Sequence, residues 1–164
     1  MRDNPGGSGT VGRLFGSYFY PAGDEEFYLN GFHKDRSTDE QEWTYVYVPG
    51  RRIPDAKLYI LVNAHTASAA EGFAYAMQKL KRATIIGQTT AGAGIAGEFV
   101  ELGHGLRMFL PVKMVVAPHT QQGWEGTGVV PDVATAPGGE RDAALGLVKQ
   151  AAGQAGSAPA PARR

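Results

Sequence analysis

Two short apolar runs separated by a helical pattern constrain the fold of this chain more than any other feature. Residues 58–62 (LYILV) and 83–87 (ATIIG) are bounded by turn residues, and such runs are typical of strands buried in a parallel sheet. Between them, apolar residues recur at helical spacing from residue 69 onward. A strand, a helix and a second strand predict a βαβ unit with a parallel strand pair. We expect the core to contain Ile60, Val62, Phe73, Met77, Ile85, Ile86, Val115 and Val129.

The stretch Thr66-Ala67-Ser68-Ala69-Ala70-Glu71 lies where the first strand turns into the helix. A serine at this point can cap the helix N-terminus, and an acid three residues later completes a capping box. The same place suits a nucleophile, because exposed backbone N–H groups and the helix dipole stabilise an oxyanion there. The two alanines that flank the serine are too small to block access. Both interpretations remain open on these residues alone.

Composition excludes several kinds of function. The chain has 164 residues with formal net charge +0, which offers no electrostatic footprint for nucleic acid or for an anionic membrane. It has no Cys, so disulfides, thiolate metal sites and a cysteine nucleophile are excluded. No apolar run approaches the roughly 20 residues of a membrane span, and no spacing of His, Asp and Glu resembles a metal site. We therefore expect neither a metal nor another cofactor.

The remaining pattern predicts one domain, residues 1–152, followed by a disordered Ala/Pro-rich tail, residues 153–164. The chain opens almost directly on a glycine-rich turn, without a strand before it, so we expect a fragment that begins inside a domain. Its predicted elements are a helix over 8–20, a hairpin of strands 27–29 and 43–48 around a charged loop 34–41, a second hairpin of strands 97–102 and 105–110, strands at 113–117 and 128–133, and a helix over 141–151.

Three motifs in a fixed order carry a resemblance to a known family. They are Arg2-Asp3-Asn4-Pro5-Gly6-Gly7-Ser8-Gly9; then 66–71 leading to Arg82-Ala83-Thr84-Ile85-Ile86-Gly87-Gln88-Thr89-Thr90-Ala91-Gly92; and Trp124-Glu125-Gly126-Thr127-Gly128-Val129-Val130-Pro131-Asp132-Val133. Over residues 2–135 the chain resembles the tail-specific (C-terminal processing) serine peptidases. Within them it is most similar to the branch of the tricorn core protease and interphotoreceptor retinoid-binding protein. The resemblance implies an α/β fold of the ClpP/crotonase-like ββα superhelix type, incomplete at its N-terminus.

The resemblance also implies roles for individual residues. Ser68 matches the nucleophile of the family, and the backbone N–H of Ala69 matches one oxyanion donor. The second donor comes from the Asn-Pro-Gly-Gly turn, that is, from Gly6 or Gly7, although a plain turn explains these glycines equally well. Glu125 matches the acid of a Ser–His–Glu arrangement. A peptide or protein would be the substrate.

The general base is not identified. One branch of the family carries a lysine where this chain has Ala93, so a Ser–Lys dyad at that position is ruled out. The histidine of the other branch precedes the Arg-Asp-Asn-Pro-Gly-Gly turn, outside this sequence. Of the chain's own histidines (His33, His65, His104 and His119), none matches a family catalytic position, and each is best explained as an ordinary loop residue. His119 is the least improbable substitute, since Glu125 follows closely in sequence.

Three functions remain open: a serine peptidase, a non-catalytic binding domain or inactive fragment on the same fold, and a crotonase-like acyl-CoA enzyme, which is the weakest because such enzymes need no serine at this turn. An unpaired strand edge beside residues 58–62 would favour association, so we expect a homo-oligomer as one state of the chain. The sequence does not fix the compartment. By family resemblance the whole protein would act outside the cytoplasm, for example in a periplasm.

Overall fold

The computed structural model describes residues 1–33, 39–118 and 120–156, with side chains as far as residue 153. Its helices and strands, in chain order, are α1 (Gly9–Ser17), β1 (Phe27–His33), β2 (Glu40–Trp43), β3 (Leu58–Val62), α2 (Ala69–Lys79), β4 (Ala83–Gly87), β5 (Ile95–Gly103), β6 (Leu106–Val116), β7 (Val133–Ala134) and α3 (Glu140–Gly156).

The strands form two sheets. A parallel sheet has the order β3-β4-β7, and an antiparallel sheet has the order β2-β1-β6-β5. In the parallel sheet, β3 and β4 pair in register from Leu58 with Ala83 to Val62 with Gly87, and α2 connects them. The predicted βαβ unit and the α/β fold class are therefore confirmed. Within the described residues β3 is an edge strand, with β4 on one side only.

The core lies between α2, the parallel sheet and the inner face of β1. Seven of the eight predicted core residues are buried, from Val62 and Met77, which are fully enclosed, to Ile60 at 4% exposure. Val115 is only half-buried, because it lines a cleft, whereas the next residue, Val116, is fully enclosed. The largest enclosed side chains include Tyr28, Met77, Ile85, Ile86 and Glu71.

Helix α1 packs on α2 through its glycines. A Cβ placed on Gly16 would come within 3.0 Å of the Met77 side chain, and one on Gly12 within 3.4 Å of the Phe73 Cβ. The predicted helix is present but ends at Ser17, three residues early, because the next residues close a tighter turn. The apolar residues that predicted it lie partly outside the contact, as Val11 and Phe15 are 65% and 51% exposed.

The hairpin prediction at 43–48 was wrong in its second strand. Strand β2 ends at Trp43, where the predicted strand would begin, and the chain from 44 to 48 pairs with no strand. Side chains satisfy this backbone instead: Ser17 Oγ accepts the Tyr45 N–H, and the Arg52 guanidinium donates to the Tyr45 and Val46 carbonyls. The predicted loop 34–41 falls on residues 34–38, outside the described part, and on β2.

The second hairpin is confirmed and longer than predicted. Strands β5 and β6 pair around the Gly103-His104-Gly105 turn, and the strand predicted at 113–117 is the continuation of β6 beyond a bulge near Pro111.

At the third motif the strand comes later than predicted, as β7. The final helix, predicted over 141–151, runs from Glu140 to Gly156. Residues 157–164, most of the predicted tail, lie outside the described residues. Among the helices described, none has both the length and the apolar character needed to cross a membrane.

Candidate active site

Ser68 occupies a sharp turn between β3 and α2. Its backbone has φ 54° and ψ −124°, and α2 begins at the next residue. A left-handed φ is uncommon for a residue with a side chain and persists only where the surroundings hold it. The local sequence favours the turn, because small residues on both sides of the serine leave room for it. A strained serine at a helix N-terminus places its hydroxyl close to unpaired backbone donors.

The carboxylate of Glu71 holds this turn from inside the molecule. Its Oε2 accepts the N–H groups of Ser68 at 2.7 Å and Ala93 at 2.9 Å, and its Oε1 accepts the Thr90 hydroxyl at 2.5 Å and the Gly92 N–H at 2.7 Å. The side chain is completely buried. The predicted capping bond from Glu71 to the Ser68 N–H is thus present, but the contacts with loop 90–93 were not foreseen. A buried carboxylate with four donors fixes the two loops relative to each other.

The N-terminal turn, residues 1–7, is attached by hydrogen bonds to the turn around Ser68, residues 63–69, which we call the elbow. The carbonyl of Asn4 accepts the Ala67 N–H at 2.9 Å, and the Thr66 hydroxyl donates to the Met1 carbonyl at 3.0 Å. Asp3 exchanges two hydrogen bonds with the side chain of Asn63. The residues beside Ser68 and those beside Gly7 therefore form one interlocked unit, although the sequence separates them by about sixty positions.

The two glycines of this turn differ in their surroundings. Gly6 lies against the elbow, since a Cβ on it would come within 2.6 Å of the Ser68 Cβ, and its N–H donates to the Asn4 side chain at 2.9 Å. Gly7 has φ 142° and no neighbour within 4 Å of a Cβ position. Gly7 and Ala69 line the same cleft as Ser68. Of the two candidate donors in the turn, Gly6 is already engaged and Gly7 faces the cleft.

The cleft beside Ser68 has a volume of about 290 Å³. Its apolar wall is made by Tyr28, Leu29, Phe73, Val115 and Trp124. Charged residues line the cleft as well: Lys113 Nζ lies 3.0 Å from Glu40 and 3.7 Å from Glu42. Glu40 also accepts a 3.0 Å hydrogen bond from His33, and this bond, with that of Lys113, lowers the pKa of its carboxyl group. Lys113 is thus engaged with two carboxylates at this part of the cleft.

Loop 90–94 brings Ala93, which stands where one branch of the resembled family has a lysine, to this cleft. Ala93 and Gly94 line the cleft together with Ser68. Glu125 is exposed, and its Oε2 accepts the Gly94 N–H at 2.6 Å. Its neighbour Trp124 is buried at 3% exposure and forms part of the cleft wall. The structure therefore brings the Glu125 loop to the cleft margin and gives its carboxylate a backbone partner.

No described histidine lines the Ser68 cleft. His33 bonds Glu40 at the far end of the charged cluster, His65 lies exposed in the elbow loop, and His104 is at the tip of the β5–β6 hairpin. His119 lies outside the described residues. Within the described ranges, no group of His, Asp and Glu is arranged to hold a metal ion.

Sequence reasoning did not single out three residues that contact the cleft or the N-terminal turn. Asn4 closes the turn through both its carbonyl and its side chain, and the Asn-Pro-Gly-Gly string is itself a turn signal of this kind. Trp124 lies in the third motif, and only its large apolar side chain could have indicated that it is buried in the cleft wall. Glu140 binds Arg2 across 138 positions, a distance that no local pattern encodes.

Comparisons with known proteins find relatives of this chain by sequence and by structure. The sequence model of "Peptidase family S41" matches residues 1–135. A curated relative, the carboxyl-terminal-processing protease of Synechocystis sp., is 30% identical over 132 residues, which are 80% of this chain and 29% of the relative.

Solved structures show the same fold. A photosystem II D1 C-terminal processing protease superposes with a TM-score of 0.67 at 25% identity, over 84% of this chain and 34% of that one. The tricorn protease, at 18% identity, shares the fold with a TM-score of 0.55, over 92% of this chain and 14% of that one. The chain spans only about a third of these relatives' lengths or less.

Proposed function

Because the chain belongs to peptidase family S41, we propose that it carries the nucleophile and the oxyanion donors of a serine peptidase. The observation that supports this most is the left-handed turn at Ser68, which opens onto a cleft shared with Gly7 and Ala69. A hydroxyl at a helix N-terminus, beside two backbone donors, is the arrangement that acyl transfer needs.

In the proposed reaction, the Ser68 hydroxyl oxygen attacks the carbonyl carbon of a peptide bond. The N–H groups of Gly7 and Ala69 stabilise the negative charge on the carbonyl oxygen. The C–N bond then breaks, the amine leaves with a proton, and an acyl ester remains on Ser68. Water hydrolyses this ester and regenerates the hydroxyl. A base must take the hydroxyl proton, and the position where the resemblance places a lysine holds Ala93.

The proposed substrate is a peptide segment of a protein. The cleft has an apolar wall beside Ser68 and is small, which suits one or two apolar side chains rather than a folded surface. The names of the relatives describe carboxyl-terminal processing. We therefore propose cleavage near the C-terminus of a protein substrate. Glu125 would orient a histidine supplied from elsewhere, while its own carboxylate is fixed by Gly94.

A second candidate is peptide binding without hydrolysis. It is favoured by Ala93 and by the lack of a described histidine along the cleft. Without a base the serine stays protonated at neutral pH and is a weak nucleophile. In that case the cleft would hold the peptide and the ester would form slowly or not at all.

A fluorophosphonate probe with mass spectrometry of the labelled peptide tests the proposal. We expect slow, incomplete labelling of Ser68 in this chain and none in Ser68→Ala, with Ser8→Ala as a control that labels like the wild type. In a form of the protein with turnover, Ser68→Ala should lower kcat by about 10⁴-fold or more with the fold intact. Labelling at another residue, or turnover retained in Ser68→Ala, would contradict the nucleophile. Peptide binding with no labelling at all would favour the second candidate.

A further inference from the structure

The first residue of α3, Glu140, has a buried carboxylate outside the stretch matched by the family. Only 1% of this residue is exposed. Its Oε2 accepts the Arg2 guanidinium at 2.9 Å, and its Oε1 accepts the Gln88 amide at 2.7 Å and the Gly138 N–H at 3.2 Å. Residue 140 lies beyond the family match, which ends at 135. A charge buried to this extent is stable only with such partners, and an Arg–carboxylate bond is among the stronger ones.

Arg2 directly precedes a strained residue. Asp3 has φ 56°, in the left-handed region that residues with a side chain seldom adopt. Such a conformation persists where its surroundings hold it from both sides. On one side Asp3 exchanges two hydrogen bonds with Asn63, and on the other Arg2 is bound to Glu140.

The strained residue leads straight into the turn beside the nucleophile. The next carbonyl, of Asn4, accepts the Ala67 N–H, and Gly6 leaves no room for a Cβ, which would come within 2.6 Å of the Ser68 Cβ. Any relaxation of Asp3 therefore moves the segment that carries Gly7. The path from Glu140 to the cleft runs through Arg2 and Asp3 to this turn, with a defined contact at each step.

We propose that Glu140 is a positioning residue of the active site: through Arg2 it holds residues 3–7 in the conformation that places the Gly7 N–H beside Ser68. The effect of Glu140 on the reactivity of Ser68 rests on the proposed function. Its effect on the conformation of residues 3–7 does not. It assigns to α3 a role that the family match does not cover. The competing explanation is local, namely that Glu140 only caps α3 through the Gly138 N–H.

A double-mutant cycle measured by hydrogen exchange separates the two explanations. In Glu140→Gln we expect the amides of Asp3, Asn4 and Gly6, each of which has an acceptor in the structure, to exchange about tenfold faster, while those of α2 and β4 are unchanged. Arg2→Gln should give the same acceleration, and the double variant no more than either one, because both remove the same interaction. Asp142→Asn, at an exposed position of the same helix, is the matched control and should leave these amides unchanged.

Two exchange results would overturn the proposal. One is unchanged exchange of the Asp3, Asn4 and Gly6 amides in Glu140→Gln, or acceleration confined to α3, as a helix cap would give. The other is additive acceleration in the double variant, which would mean that Glu140 does not act through Arg2. Urea unfolding of each variant measures any general loss of stability. Such a loss would accelerate amide exchange in α2 and β4 as much as in the N-terminal turn, and it would also overturn the proposal.

The kinetics of probe attachment test the catalytic part. For labelling of Ser68 by the fluorophosphonate, Glu140→Gln should lower the maximal inactivation rate about tenfold and leave the probe concentration for half-maximal rate unchanged. A general loss of folded protein would lower the labelled fraction instead. If the wild-type chain labels at no residue, the proposed function fails, whereas the exchange cycle still decides whether Glu140 holds the turn. Labelling that is equally fast in Glu140→Gln would overturn the positioning role.

Discussion

Gly6 lies so close to Ser68 that a Cβ on residue 6 would come within 2.6 Å of the Ser68 Cβ. The same Cβ would come within 2.8 Å of the Ala67 carbonyl oxygen and 3.0 Å of the Ala69 nitrogen, and φ at Gly6 is 102°. Gly6→Ala should therefore push the turn away from the elbow and destabilise the protein by about 1–3 kcal/mol. Urea unfolding measures the loss, and probe labelling of Ser68 should fall with it.

Gly146→Ala is the matched control for this change. Gly146 lies in α3 with open space around its Cβ position and an ordinary φ. Alanine there should stabilise the protein by about 0.5–1 kcal/mol, since it favours the helix. Equal stability and labelling in Gly6→Ala and in the wild type would show that the two loops are not in contact in solution.

The carboxylate of Glu71 gives a second prediction. Each of its two oxygens accepts hydrogen bonds from two donors. In Glu71→Gln an NH₂ group replaces one of these oxygens, so it would face two donors from which it cannot accept. We expect a loss of about 3 kcal/mol and weakened labelling of Ser68, because buried donors are left unpaired. Glu98→Gln, exposed on β5, is the control. A difference below about 0.5 kcal/mol between the two variants would contradict the role of Glu71 as the link between the loops.

The parts of the fold that the sequence predicted are those with local signals. The βαβ unit follows from two apolar runs and a helical spacing between them. The strand predicted at 43–48 also has a local signal. In the structure, however, Ser17 and Arg52 form hydrogen bonds with its backbone groups. Ser17 lies 28 positions before Tyr45, so residues near the strand could not reveal its part in this competition.

The candidate site shows the same division. Ser68 and Glu71 are three positions apart, and their capping bond could be predicted from that spacing. The choice between Gly6 and Gly7 could not, because it depends on the Asn4 side chain taking one N–H. The pair of Arg2 and Glu140 joins the two ends of the described chain, and only the packing of α3 on the parallel sheet creates it.

Among the described residues β3 has no strand on its outer edge, and this edge predicts association of the isolated chain. Residues 58–62 carry no charge, proline or bulge that would discourage pairing with another strand. Leu61→Lys should shift the chain toward the monomer in sedimentation measurements at micromolar concentration. Val130→Lys, at an exposed residue away from this edge, should leave the distribution unchanged. A wild-type chain that stays monomeric over the whole range would contradict the prediction.

Acid should weaken the contact of Glu140 with Arg2. The Gln88 hydrogen bond, followed by those of its own N–H, Arg2 and Gly138, lowers the pKa of Glu140 from 4.5 to about 2. A lowered folded-state pKa adds stability above pH 4.5, and this stability is lost as pH falls toward 2. The difference in melting temperature between the wild type and Glu140→Gln should therefore be constant above about pH 5 and shrink below it. A difference that does not change between pH 6 and pH 2.5 would contradict the assignment.

Ala93→Lys should raise the reactivity of Ser68. Ala93 lines the same cleft as Ser68, and its N–H is bound to Glu71, which fixes its backbone beside the elbow. A lysine amine there can accept the hydroxyl proton, a contribution typically of about 10²-fold or more. We expect fluorophosphonate labelling to accelerate by about that factor and to increase with pH as the amine loses its proton. Ala96→Lys, also on the cleft wall but on β5, is the control and should accelerate it little. Equal acceleration by both variants would indicate a general charge effect, and none in a folded Ala93→Lys would mean that the site lacks more than its base.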